Sequence, residues 1–426
     1  IDPPTNNPEI TFHSGPLISR IIALLAPFFN YNYYLTGTLL IPVLASLFIL
    51  PLGIYFFRIG IPASGLFGGL IGTFSGAYYV RSSIGRIDTD MLNLFFPILT
   101  ALFIFLTSGA KKERYVLLYS AIAGSILYLF FWWYSQAAFT LAFFVILVFS
   151  LFVHKIRFKI ILLSSVFFVL CAQPSNFMKG TASIYSQVSR YIVTDNSVSR
   201  DIIDHRTTPA IFPNTMTTIS EVDHVPMSEV LKRVLSNTTL AWIGLVGFFG
   251  LTVFKWRVLL PLTPMLALGL FSFISSNRFI MFFAPFIGIG LGWLFQLVVE
   301  MFFYVLRHRR KDAQKTHNTA KKTKHGSKGV EEIVQGQKTT GSLWAKLIAL
   351  FSMDPYVNGN TNKGTINAKS NQQITAKEGS KNIYYKDTEV DWWNWGRQGV
   401  LYLGMGVSFW LISGQTAISY VPGPSI

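Results

Sequence analysis

The chain has 426 residues, 51% hydrophobic and 15% aromatic, with only 13% charged. Soluble domains carry about 25% charged residues, so this deficit excludes an ordinary soluble enzyme and puts the chain in the membrane class. The net charge of +16 invites a nucleic-acid reading, but no readout module accompanies it and most of it falls in one loop.

The start, Ile1 to Pro8, is polar and proline-rich. It lacks a positively charged leader and reads as beginning inside a longer protein rather than as a signal peptide. Residues 1–34 are expected to form part of a first external loop. Ten apolar stretches then approach the roughly 20 residues that a bilayer core requires. They are 35–57, 63–80, 91–108, 115–133, 137–153, 158–172, 239–254, 257–274, 279–304 and 399–418. Asp, Glu, Lys and Arg are absent from their centres. Lys159, Arg257 and Glu300 stand at the ends, where long side chains reach the interface.

The charged connections alternate. One set holds Arg58, then Lys111, Lys112 and Arg114, then Lys155 and Arg157, then Lys255 and Arg257, then the run Arg307 to Lys328. The opposite set holds fewer: Arg81 and Arg86, a long loop over 173–238, and Arg278. By the positive-inside rule the first set is cytoplasmic. The expected organisation is therefore an all-α polytopic protein of about ten transmembrane helices, with helices over 35–306 and external loops at 81–90 and 173–238. Residues 398–426 would hold the last helix and the start of a further external domain.

Residues 307–397 differ in composition. They carry seventeen basic and eight acidic residues, a net of +9, and too little apolar surface to fold. Within them Leu343, Trp344, Leu347, Ile348, Leu350 and Phe351 recur at helical spacing. That pattern predicts a short helix on the cytoplasmic membrane surface, held by anionic lipid. The single cysteine, Cys171, excludes an internal disulfide and a cysteine-based zinc site.

Four external segments have residue types suited to chemistry. In Arg81-Ser-Ser-Ile-Gly-Arg86-Ile-Asp88-Thr-Asp90-Met-Leu-Asn93, two acids stand two residues apart before an apolar helix. Hard divalent cations take such oxygens, whereas Asp90 alone also serves as a helix cap. Thr217-Thr-Ile-Ser-Glu221-Val-Asp-His224 lies in the long loop, where Glu221 is either a solvated charge or a functional one. Arg278 in Ser275-Ser-Asn-Arg-Phe279 suits a phosphate at a membrane face, or simply snorkels. Phe131-Trp132-Trp133-Tyr134 fits any aromatic belt.

Together these segments carry a resemblance. Asp88-Thr-Asp90 resembles the Asp-x-Asp motif of the oligosaccharyltransferase catalytic subunits. Thr218-Ile-Ser-Glu221 resembles their Thr-Ile-x-Glu loop motif. Asn277-Arg278-Phe279 is similar to their late-helix arginine segment, and Trp132-Trp133-Tyr134 also fits. The resemblance covers roughly residues 11–306 and 398–418 and is greatest to the bacterial single-subunit, PglB-type, enzymes. It implies a GT-C type glycosyltransferase membrane domain that transfers an oligosaccharide en bloc from a polyprenyl-pyrophosphate donor to asparagine in an Asn-x-Ser/Thr sequon, with inversion. It implies that Asp88, Asp90 and Glu221 hold Mn2+ or Mg2+, with Asp88 and Glu221 also holding the acceptor amide. Arg81 would lie near that cation. Arg278 and Tyr134 would contact the donor pyrophosphate, and Arg233 an acidic residue of the acceptor peptide. It also implies a bacterial inner membrane with the active site facing the periplasm, and a fragment inactive alone.

The family's Trp-Trp-Asp-Tyr-Gly motif has no counterpart here. Trp392-Trp-Asn-Trp-Gly396 precedes the last helix on the cytoplasmic side and reads as interfacial aromatics. Two alternatives remain from the residues themselves. One is a transporter of a lipid-linked substrate, which the absence of central charges disfavours. The other is a glycosyltransferase that uses a polyprenyl-phosphate sugar on another acceptor.

Overall fold

The computed structural model describes residues 17–84, 89–134, 137–175, 177, 180, 226–273, 279–323 and 392–419, with backbone alone at 307–323, 392–395 and 412–419. Among these residues the secondary structure is helical throughout. Helix α1 covers Leu17–Leu25 and runs into a turn of 3-10 helix at Ala26–Phe29. Helix α2 covers Tyr33–Ser46, α3 Ile49–Ile59, α4 Pro62–Phe74 and α5 Gly76–Tyr79. A 3-10 turn at Thr89–Leu92 leads into α6, Phe95–Gly109. Then come α7, Glu113–Trp133, α8, Ala137–Val153, and α9, Phe158–Cys171. After the long loop, α10 covers Met227–Val234, α11 Thr238–Leu259 and α12 Thr263–Leu270. Helix α13 is Ile280–Thr323, and α14 is Trp392–Ser419.

Local chemistry sets several boundaries. Asn32 caps α2, its side-chain oxygen accepting from the Leu35 N–H at 3.0 Å. Asn237 caps α11 in the same way, accepting from Thr239 and Leu240. Helix α3 stops at Gly60, whose φ of 87° is the left-handed cap conformation that favours glycine. Pro62 then opens α4, where its missing N–H costs nothing. Within the helices, hydroxyls of Thr36, Thr100, Thr107, Ser165 and Thr252 donate to carbonyls four residues back. That satisfies them in surroundings without water.

Helix underlies each of the ten predicted stretches. Among the described residues, five runs are long and apolar enough to cross a membrane: Tyr33–Ile59, Thr89–Gly109, Glu113–Trp133, Thr238–Phe273 and Ile280–Leu306. The chain is therefore an integral membrane protein. The run Thr238–Phe273 has 36 residues, about 54 Å at 1.5 Å per residue, nearly twice a bilayer core. It is interrupted at Lys255, whose φ of −126° and ψ of 27° are not helical. This is the point where the basic segment Lys255-Trp256-Arg257 separated two predicted spans.

Residues Gln296–Gly406 form one compact unit and the rest of the chain another. In the smaller unit, the Gln296 amide donates to Glu300 at 2.9 Å, and Gly396 lies opposite the Phe303 ring. The predicted interfacial helix at Leu343–Met353 lies outside the described residues. In the larger unit the core centres on the first half of α13, approached by glycines on two sides. A Cβ on Gly288 would lie 2.4 Å from the Phe67 carbonyl, and one on Gly292 2.4 Å from the Ala63 carbonyl, both on α4. A Cβ on Gly290 would lie 1.8 Å from the Gly244 carbonyl on α11. Without a hydrophobic force between helices in lipid, such close backbone contact supplies much of the association energy. Across the bundle, the Tyr55 hydroxyl on α3 donates to the Val258 carbonyl on α11.

Gly290→Ala is expected to destabilise the protein by about 1–3 kcal/mol or more, because the added carbon must force α11 away. Gly53→Ala, where the added carbon meets nothing within 4 Å, is expected to be neutral or mildly stabilising. Thermal unfolding of the detergent-solubilised protein separates the two.

Candidate functional site

The acidic turn Thr89–Leu92 is held by groups from three parts of the chain. Tyr78, on α5, is fully buried, with its ring edge-on to Phe48 at 5.9 Å. Its hydroxyl lies 2.7 Å from the Met91 carbonyl and 3.0 Å from the Ala45 carbonyl of α2. Arg81 follows α5 in the chain, and its Nη1 donates to Asp90 Oδ2 at 2.7 Å. From the other side, Asn93 Nδ2 donates to Asp90 Oδ1 at 2.9 Å. Trp133, the last residue of α7, donates from Nε1 to the Thr89 carbonyl at 2.6 Å. Asp90 has 0% exposure and Arg81 only 9%, so the ion pair is buried. A buried carboxylate requires such a partner, since desolvation costs several kcal/mol per ion.

The neighbouring elements meet at the same end of the bundle. Helix α10 is strongly amphipathic. Val230, Leu231 and Val234 are buried against Ile71 of α4 and Ile280, Phe283, Ala284 and Ile287 of α13. Its polar side carries Glu229, Lys232 and Arg233, with Arg233 Nε 3.4 Å from Glu229 Oε1. Helix α10 also contacts α5 and the turn Phe271–Phe273. The connection that follows that turn is framed by ring pairs Phe271–Phe279 at 5.8 Å and Phe273–Phe283 at 5.0 Å.

The structure thus joins two of the predicted site residues directly, Arg81 and Asp90. Tyr134 follows Trp133 in the chain, and its ring packs 6.4 Å from Phe130. It therefore stands one residue from the group that holds Thr89. Arg233 is exposed on α10, paired with Glu229. Asp88, Glu221 and Arg278 lie outside the described residues. Their described neighbours are Thr89 in the acidic turn, Pro226 at the start of α10, and Phe279 before α13.

Three contributors carried no role in the sequence reading. Asn93 stood inside the quoted motif, three residues after Asp90, a spacing that suits a side-chain bond across one turn. Trp133 was read as belt, and nothing in its spacing marks it, because its partner lies 44 residues away. Tyr78 looked like one more aromatic in an apolar run.

Among the described residues there is no cluster of three His, Cys, Asp or Glu side chains. The lone-pair atoms of the turn named above, the Asp90 carboxylate and the Thr89 and Met91 carbonyls, are oxygens of the kind a hard divalent cation takes. Each Asp90 oxygen already accepts an N–H, and Asn93 Oδ1 is a buried oxygen without a hydrogen-bond partner among the described residues. Oxygens of this kind are compatible with a hard divalent cation, with the Asp90 carboxylate already engaged by Arg81 and Asn93.

Removing either partner of the Arg81–Asp90 pair is expected to cost about 3–5 kcal/mol, because it leaves an uncompensated buried charge. The double variant Arg81→Met with Asp90→Leu is expected to recover part of that loss. A double-mutant cycle on the thermal midpoint reads the coupling, and strictly additive losses would show that the pair contributes nothing.

Comparison with known proteins places the chain. The family model described as oligosaccharyl transferase STT3, N-terminal, matches residues 13–311. Undecaprenyl-diphosphooligosaccharide–protein glycotransferases from two strains of Campylobacter jejuni are 25% identical to it over 292 residues. The match covers 59% of this chain and 39% of each relative, so the chain spans about two-fifths of their length. Among solved structures, the archaeal oligosaccharyltransferase AglB from Archaeoglobus fulgidus, in complex with an inhibitory peptide and a dolichol-phosphate, is similar at 14% identity and a TM-score of 0.47. That match covers 80% of this chain and 46% of the archaeal one. The apo crystal structure of the Archaeoglobus fulgidus oligosaccharyltransferase gives 14% identity, a TM-score of 0.46, and coverage of 80% and 47%. Because the family model accounts for well over half of its length, the chain belongs to the STT3 oligosaccharyltransferase family.

Proposed function

We propose that this chain is the membrane part of an N-glycosylating oligosaccharyltransferase, with its active site at the external face around the acidic turn. The observation that carries this reading is the buried Arg81–Asp90 pair. It is an expensive polar arrangement in an apolar bundle, built on the second acid of an Asp-x-Asp motif. A protein keeps such a group where it does chemistry more readily than where it only packs.

The donor is a polyprenyl-pyrophosphate-linked oligosaccharide and the acceptor the side-chain amide of asparagine in an Asn-x-Ser/Thr sequon. In the transfer, the bond between the anomeric carbon and the phosphate oxygen breaks. A carbon–nitrogen bond forms on the opposite face, which inverts the anomeric centre. The polyprenyl-pyrophosphate leaves as an anion, and the proton lost by the amide nitrogen passes through water to that anion or to the solvent. An amide nitrogen is a poor nucleophile because its lone pair is delocalised into the carbonyl. Asp88 and Glu221 accept hydrogen bonds from the acceptor's N–H groups and weaken that delocalisation. Asp88 and Glu221, with Asp90 and Arg81 behind, would hold a Mn2+ or Mg2+ ion, which would supply charge stabilisation for the departing pyrophosphate. Arg278 and Tyr134 bind the same phosphates from the protein side. Arg233 draws an acidic residue of the acceptor peptide. The membrane is the bacterial inner membrane and the site faces the periplasm.

The test uses the protein at its full natural length, a lipid-linked glycan, Mn2+ and an Asn-x-Thr peptide. Asp88→Asn and Glu221→Gln are each expected to slow transfer by about 10²–10³-fold, the size of losing one electrostatic partner of a developing charge. Transfer at the wild-type rate in both would defeat the site assignment. A mass increase on lipid or on serine in place of asparagine would move the protein to another class of polyprenyl-dependent glycosyltransferase. Arg233→Ala is expected to reduce the preference for an acidic acceptor residue only a few-fold, as befits an exposed ion pair. Competition between acidic and neutral peptides measures it.

A further inference from the structure

We propose that Trp133 is a positioning residue for the acidic turn, fixing the peptide between the two acids and tying it to the end of α7 that carries Tyr134. The inference deepens the proposed function and rests on it. Three consecutive residues of the turn are each gripped by a different group. Thr89 is held through its carbonyl by Trp133, Asp90 through its carboxylate by Arg81 and Asn93, and Met91 through its carbonyl by Tyr78. Tyr78, Arg81 and Asn93 lie 13, 9 and 3 residues along the chain from the groups they hold. Trp133 is different, since it reaches across from another helix 44 residues away. It is therefore the grip that sets where the turn lies relative to α7.

The residue type suits this task. The indole is 3% exposed and packs against the Phe96 ring at 6.4 Å, so the N–H is aimed by a rigid, buried body. An indole N–H only donates. It can stand beside a cation site without offering a lone pair, and so cannot become a stray ligand. Nor can it compete with Asp90 for the Arg81 guanidinium. A tyrosine or histidine in that place would bring an acceptor. The bonded carbonyl belongs to Thr89, the residue between the two acids in the chain, so its orientation fixes the peptide that leads into Asp90. Tyr134 is the next residue after Trp133, and a shift at the donor-contacting end of α7 reaches the acidic turn through one hydrogen bond.

The experiment compares wild type, Trp133→Phe, Asp88→Asn and the lipid-exposed control Trp242→Phe in the full-length protein. Mn2+ affinity is read from the electron paramagnetic resonance of the free ion. Trp133→Phe is expected to weaken Mn2+ binding by about ten-fold, as loss of an outer-shell partner does, while Trp242→Phe binds as wild type. In glycan transfer the half-saturating Mn2+ concentration should rise by the same factor, and the acceptor KM at saturating Mn2+ should stay within two-fold. A purely structural role would lower yield and thermal midpoint without moving the metal titration. Should Trp133→Phe fail to fold, 5-fluorotryptophan placed at position 133 replaces it. Its fluorine resonance is expected to move on Mg2+ addition in wild type and to stay fixed in Asp88→Asn. Wild-type Mn2+ affinity in Trp133→Phe, or a 133 resonance indifferent to Mg2+, with Asp88→Asn losing the ion, overturns this inference alone. Undiminished binding in Asp88→Asn overturns the metal assignment beneath it.

Discussion

A carboxylate with no exposed surface stands at the head of an apolar helix, and this end of the bundle is arranged around answering its charge. In a medium that hydrates ions poorly, Asp90 is tolerable only if its counter-charge and donors are supplied at bonding distance. Arg81 supplies the charge and Asn93 a second N–H. Both are local in sequence, which makes the answer quick to form and hard to lose. Tyr78 and Trp133 then hold the backbone on either side of Asp90, so the carboxylate has one place to be. What the fold supplies to this turn is rigidity, and rigidity is what a cation or an incoming amide needs from its ligands.

That turn would drift without a fixed frame, and the frame is α13. Its glycines let α4 and α11 approach at backbone contact on two sides. Close packing of this kind is directional. A helix seated against carbonyls cannot rotate without a clash, whereas one seated on leucines can. Because α13 is fixed, the floor on which α10 sits is fixed. Because α10 contacts α5 and Phe271–Phe273, the ends of three chain segments are set relative to one another. A few missing methyl groups in the core therefore govern the placement of polar groups at the membrane face.

Much of this architecture was legible in the sequence. Hydropathy located the helices, because a bilayer imposes the same length and the same apolar composition on each. Charge placed the breaks: Lys255-Trp256-Arg257 divided two apolar stretches, and the backbone leaves the helix at Lys255. Motif spacing brought Arg81, Asp88 and Asp90 into one segment and singled them out. What escaped was the grip on them. Trp133 makes its contact with a carbonyl, and a carbonyl has no residue type to recognise, so no pattern announces the bond. Asn93 lay inside the motif, but its neutral amide attracted no attention beside two acids. The pairing of Arg233 with Glu229 follows from i,i+4 spacing on α10 and was hidden only because that short helix sits in a loop read as irregular.

The choice of a neutral amide at position 93 has a consequence for the proposed chemistry. In the proposed site, Asp88, Asp90 and Glu221 with Arg81 would leave a net of two negative charges, which one divalent cation would neutralise. Had the second donor to Asp90 been lysine or arginine, the set would carry one negative charge, and a divalent ion would enter as an excess positive charge in a low-dielectric place. Coulomb repulsion there grows as the dielectric falls, so affinity for the ion would drop while affinity for the donor's pyrophosphate rose. An amide donates the N–H that orients Asp90 without altering the charge balance. The same reasoning applies to Trp133 and Tyr78, both uncharged at neutral pH. The turn is thus held by uncharged groups that fix its geometry and by one arginine that answers its buried acid.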